Sequence, residues 1–381
     1  MVVEWQMTAG RIRNAIVCLA VSVAAFGSGA ACATPGAPAE PSIETSRLVD
    51  LLRAVPWQDE WDIVFEDLDV LSEWEGVVAP AREASLEEKV QWYSAIQGGL
   101  VVGLSMPLPD VWGFDTVDVD AQLTLWNPLD LKVVSGDLDT AALAAKLRGY
   151  GYEEAMHKEV PVFTWTPDAP EESVRFLPKA FGIIEDDSPA LVVMAGSVLG
   201  GSDVAEDSAT IEAAIDAYRG ARSLADNEEL VGVVEKLGRP GAAYLYRGAG
   251  LDRLIQEWGE DVRESILESV GPGHLDVYSM LAVARGLDSG RETIEFVLVY
   301  EDRETAGRNV AVVADRLEEG RSLTLDRPLG ELFTVREVRA EGEYLRARVE
   351  LIGEAAERER FFVDLVYQRE YWFLTPGKYR D

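Results

Sequence analysis

The chain has 381 residues, 48% hydrophobic and 27% charged, which is the balance of a folded protein with a sizeable core rather than a disordered one. Lys and Arg number 35 against 68 Asp and Glu, a formal net charge of −33; that field repels nucleic acid and anionic lipid head groups but tolerates cationic partners and divalent ions. Only two cysteines occur, Cys18 and Cys32, both near the start, so the folded part has no disulfide, zinc–thiolate site or cysteine nucleophile.

Arg11 and Arg13 precede an uncharged apolar run of twelve, Ala15 to Phe26. That run is short for a membrane span but right for a secretion signal, so residues 1–31 are predicted to be a signal peptide. Gly29-Ala30-Ala31-Cys32 has the small residues of a bacterial lipobox, with Gly29 where a branched residue is usual. Diacylation of Cys32 would hold the protein at the extracytoplasmic face of the cell membrane, with residues 32–42 (CATPGAPAEPS) as a flexible tether. Two other routes fit the same stretch. Cleavage at the A-x-A pattern Ala31-Cys32-Ala33 would discard Cys32 and give a secreted protein; retention of the apolar run would give an anchor helix.

Beyond the tether, Ser42 to Val55 carries Ile43, Leu48, Leu51, Leu52 and Val55 on one stripe and reads as a helix ended by Pro56. Ile63 to Phe65 reads as a short strand, and Leu86 to Gln97 as a helix stopped by Gly98-Gly99. Strands are predicted at Asp118–Leu125 and Leu129–Gly136 around an Asn127-Pro128 turn. A helix capped by Asp139 follows, then strands Val160–Trp165 and Leu191–Met194 and a helix Ala209–Tyr218. A further helical segment lies within Arg219 to Gly241. Strands Asp276–Ala284 and Glu292–Tyr300 then precede a helix Thr305–Leu317. Two hairpins are predicted last, Val335–Leu351 turning at Glu341-Gly342 and Phe361–Leu374 turning near Arg369.

This rhythm predicts an α+β protein of two lobes, each an antiparallel sheet with helices packed on one face. The lobes span residues 43–220 and 242–381, with 221–241 as the junction. DLDTA (137–141) and DRETA (302–306) each sit between a strand and a helix. The shared pattern fits either an internal duplication or an ordinary helix start.

The basic head with its lipobox-like cysteine, LVDLLRAVP (48–56), WGFDTVDVD (112–120), SGDLDTAALAAKLRGYGY (135–152) and LVYEDRETAGRNVAVVADRLEEGRS (298–322) carry a resemblance. Together they resemble uncharacterised secreted lipoproteins of high-GC Gram-positive and related bacteria. The resemblance implies a location, a lipid-anchored extracytoplasmic protein, and no activity.

No G-x-S-x-G, H-E-x-x-H, P-loop or post-strand G-x-G-x-x-G occurs, and the only histidines are His157 and His274. Asp115, Asp118 and Asp120 place three carboxylates within six residues. Such a turn could hold Ca²⁺, which takes six to eight oxygens, or could simply lead into a strand. Trp57, Trp61, Trp74, Trp92, Trp112 and Trp126 crowd one region. Of these, Trp57, Trp61, Trp92, Trp112 and Trp126 are candidate ligand contacts, by stacking on sugars or lining an apolar cleft, with core packing as the alternative. The expectation is a non-enzymatic, membrane-tethered protein that binds a ligand or partner. Its alternatives are a hydrolase of envelope carbohydrate working through paired carboxylates, and a structural envelope component.

Overall fold

The computed structural model describes residues 46–96, 116–127, 131–149, 152–164, 191–194, 198–201, 204–247, 270–367 and 371–378. The signal, the lipobox cysteine and the whole tether therefore lie outside the described residues, as do Asp115 and Trp112. Within them the chain is α+β. No described helix is long and apolar enough to cross a membrane.

In chain order the N-terminal half contains α1 (Arg47–Leu52), β1 (Trp61–Asp67), α2 (Leu68–Glu75), α3 (Leu86–Ile96), β2 (Val119–Asn127), β3 (Leu131–Gly136), α4 (Thr140–Gly149), β4 (Glu153–His157), β5 (Val160–Thr164), β6 (Leu191–Met194), β7 (Val198–Gly201) and α5 (Val204–Tyr218). Then follow α6 (Glu228–Leu237), β8 (Ala242–Arg247), β9 (Met280–Asp288), β10 (Arg291–Val299), α7 (Arg303–Glu319), β11 (Phe333–Glu341), β12 (Tyr344–Leu351) and α8 (Ala355–Tyr367).

The twelve strands form one sheet in the order β11-β12-β10-β9-β8-β1-β2-β3-β7-β6-β5-β4. Neighbours pair antiparallel throughout, as at Ile63 with Leu125, Val64 with Tyr244 and Met280 with Val299. The two halves are thus joined strand to strand, through β1 and β8, rather than held apart by a linker.

The helices of each half do lie on one face, but the two halves use opposite faces. Ile63, Phe65, Leu123, Leu125, Val133, Ala243 and Leu245 pack with apolar residues of α1 to α6. Val64, Tyr244, Leu281, Val283, Phe296, Leu298, Leu345, Ala347 and Val349 pack instead with α7 and α8. Period-two alternation explains the division: adjacent residues of one strand point to opposite faces. On β12 the alternation is complete, with Leu345, Ala347, Val349 and Leu351 buried and Arg346, Arg348 and Glu350 on the other side. Near the middle of the sheet both faces are covered, and all seven residues of β1 are buried.

Helix starts follow from side-chain caps. Asp67 accepts from the Val70 N–H at α2, Asn227 from Leu230 at α6, and Asp302 from Thr305 at α7. In DLDTA the capping residue is the third, Asp139, which accepts from Ala142 N–H; in DRETA it is the first, Asp302. The two copies of the pattern are therefore used in different registers, each at a helix start.

One predicted element is corrected. Phe361–Leu374 is not a hairpin: α8 runs to Tyr367, and a short 3₁₀ turn covers Trp372–Leu374. Phe361, Phe362, Leu365 and Val366 fall on one helical stripe and are buried. The C-terminal segment is then tied down by Arg316 of α7, which is fully buried. Its guanidinium donates to the carbonyls of Pro272, Gly273, Phe373, Thr375 and Gly377 at 2.6–3.3 Å.

Candidate functional site

A large concavity lies at the end of the sheet where β9 begins, β10 ends and β12 begins, facing α6. Its volume is about 1320 Å³. One wall is the side of α6 that carries Glu228, Val231, Gly232 and Glu235; the core stripe of that helix (Leu230, Val233, Val234, Leu237) points the other way. The opposite wall is built from residues 277–279 ahead of β9, 300–302 between β10 and α7, and Glu343-Tyr344 at the start of β12.

Carboxylates and tyrosines dominate the cleft. Glu229 is engaged by the protein itself: it accepts from Ser279 Oγ at 2.6 Å and pairs with Arg247 at 2.9 Å. Asp302 is held below its usual range by the Thr305 N–H of the helix it caps. Glu228, Glu235 and Glu301 are exposed and form no ion pair among the described residues. Tyr344 is pushed up by burial first and then by the charges of Glu343, Glu229 and Glu235. Its ring lies 5.6 Å from Lys236 Nζ, a cation–π distance, and Lys236 also pairs with Glu341 at 3.0 Å. Gly232 explains how the ring fits: a Cβ at this mid-helix position would collide with the Tyr344 hydroxyl. Such a glycine costs a helix about 1 kcal/mol relative to alanine.

The residues singled out in the sequence fare differently. Trp61 and Trp92 are core residues, 1% and 6% exposed, so no ligand reaches them from solvent. Trp57 is half-buried, with the Arg222 guanidinium 3.4 Å from its ring centre. The side chain of Trp126 lies outside what is described, although its backbone belongs to β2. Asp115 lies outside the described residues, and Asp118 and Asp120 face different partners. Asp118 receives Arg82 Nε at 2.5 Å, and the same guanidinium binds Asp137 at 2.8 Å. Asp120 faces a different group, Asp69, Arg47 and Asp67, and its carboxyl is raised by burial and then by Asp69. Among the described residues no group of three His, Cys, Asp or Glu is placed to hold a metal ion.

Both histidines are accounted for. His157 Nε2 is 2.7 Å from Asp216 Oδ1, which also receives Lys158 at 2.7 Å. His274 is exposed, in a two-residue strand beside Lys378. Among the described residues, the Glu66 carboxyl on β1 is pushed up to about 7 by burial against the opposing pull of Lys132 and Gln122. It is 2% exposed and accepts a hydrogen bond from Gln122 Nε2.

No protein-family model matches the chain, and no curated protein does. The chain is similar to the solved structure of crystal form I of TP0453, at 9% identity, over 83% of this chain and 98% of that one. The TM-score is 0.31, too low for that likeness to carry any argument here.

The cleft itself was not legible beforehand. Its acids come from three separate stretches, and in a chain with 68 of them no subset stands out.

Proposed function

We propose that this protein is a membrane-tethered extracytoplasmic lipoprotein, anchored through Cys32, that binds a cationic ligand or partner in the acidic cleft and catalyses no reaction. The observation that supports this reading is the state of the cleft carboxylates. Glu228, Glu235 and Glu301 stand exposed around a concavity of about 1320 Å³ and have no cation of their own among the described residues. Tyr344 beside them already carries a lysine of the same chain against its ring. A second lysine or arginine, from a partner, would meet the same combination of carboxylates and tyrosine.

The test is calorimetric titration of the chain with tetralysine. Replacing Glu228, Glu235 and Glu301 together by Gln is expected to weaken binding about tenfold or more, with a steep loss of affinity on raising salt. Equal affinity for the parent and the triple variant would reject the cleft as the site. Intact mass from the host's membrane fraction tests the anchor. A chain starting at Cys32 with diacylglyceryl mass is expected; a lipid-free chain starting beyond it would exclude the anchor.

A further inference from the structure

At the opposite end of β9 and β10 lies a second, smaller pocket of about 360 Å³, within the range that holds small ligands. Its chemistry is unlike that of the acidic cleft. Three arginines, Arg285, Arg291 and Arg358, line it together with three glutamates, Glu75, Glu292 and Glu350. The charges balance, so neither an anion nor a cation is strongly favoured over a neutral molecule.

The charged groups at its base satisfy one another only in part. Arg285 is 4% exposed, yet its ion-pair distances are long, 3.5 Å to Glu75 and 3.4 Å to Glu292. Its Nε makes no hydrogen bond to another protein group. Arg358 reaches Glu292 at 3.3 Å, and its Nε is likewise unmatched, as is Glu292 Oε2. Two donors and one acceptor on residues that line the pocket thus lack a protein partner. Leaving such groups unmatched costs stability, a cost that a ligand with complementary groups would remove.

An aromatic wall completes the site. Trp74 at the end of α2 is half-buried and lines the pocket. Its six-membered ring sits over Gly241, where any side chain would collide with it.

We propose that this pocket binds a neutral polyhydroxylated molecule, a saccharide unit, with its apolar C–H face against Trp74 and its hydroxyls on Arg285, Arg358 and Glu292. Hydroxyls both donate and accept, which is what the unmatched guanidinium N–H groups and carboxylate oxygen require. A phosphate or carboxylate would satisfy the arginines but meet Glu292 as a like charge, and an amine would do the reverse.

The experiment titrates the full chain with maltose, cellobiose and di-N-acetylchitobiose, with inorganic phosphate and spermidine as charged probes, followed by calorimetry and tryptophan fluorescence. At least one disaccharide is expected to bind. Arg358→Gln and Trp74→Phe, both at partly exposed positions and so compatible with folding, are expected to weaken it by about tenfold or more. Failure of all three disaccharides to bind would overturn the proposal. So would tighter binding of phosphate or spermidine in this pocket, or unchanged saccharide affinity in both folded variants.

Discussion

Glu66 shows how a single buried group imposes a pH dependence on this protein. Its carboxyl titrates at about 7 in the fold against an ordinary value of 4.5, because burial penalises the charged form more than Lys132 and Gln122 favour it. Between those values the folded chain keeps a proton that the unfolded chain releases, so stability falls as pH rises from about 4.5 to 7. The full penalty, about 3 kcal/mol, is present above pH 7. Glu66→Gln keeps an acceptor for Gln122 and removes the charge. It is expected to raise the urea midpoint clearly at pH 8 and hardly at pH 4.5; equal effects at both would refute the assignment. Arg316 is the converse case, a buried charge that the fold depends on. Its five carbonyl partners lie in two separate segments. Arg316→Met leaves them without this donor and is expected to cost about 3 kcal/mol or more in chemical denaturation. Neither role was visible in the sequence, where Glu66 and Arg316 look like two more surface charges. Trp61 and Trp92 illustrate the same limit, since an aromatic residue reads alike in a core and in a cleft.

Elements were legible where period and punctuation agreed. Asp139 before TAALAAKL and Asp302 before α7 announced their helices, and both do cap them. The Glu341-Gly342 turn between β11 and β12 was equally clear, and Gly342 has the positive φ that such a turn asks of it. The apolar run Ile63–Phe65 marks only the middle of β1, which also takes in Asp62, Glu66 and Asp67. They are in fact buried within a seven-residue strand. Helix α8 was misread because FFVDLVY is rich in aromatic and branched residues, a strand-like composition. The preceding AAERER supplies strong helix formers, and the buried residues at 361, 362, 365 and 366 have helical spacing. Phe361 is 1% exposed and packs 5.7 Å, centre to centre, from Phe333 of β11. Phe361→Ala is expected to cost about 3–5 kcal/mol in thermal or chemical unfolding. A loss below 1 kcal/mol would mean that α8 does not hold this face of the sheet.

At the scale of the molecule, the α+β class was readable, while the continuity of the sheet was not. A strand pattern shows which residues share a face; it does not show which edges of two half-sheets meet, or that the helices of the second half cover the opposite face. That arrangement places the ends of β9, β10 and β12 beside α6, and so creates the acidic cleft from residues far apart in sequence. The central claim is that this cleft is where a cationic partner binds. Hydrogen-exchange mass spectrometry of the full chain with and without saturating tetralysine tests it most directly. Slowed exchange is expected in α6, at 277–279, at 300–302 and around Glu343-Tyr344, and is expected to vanish at high salt. Slowed exchange confined to other segments, or none anywhere, would contradict the account.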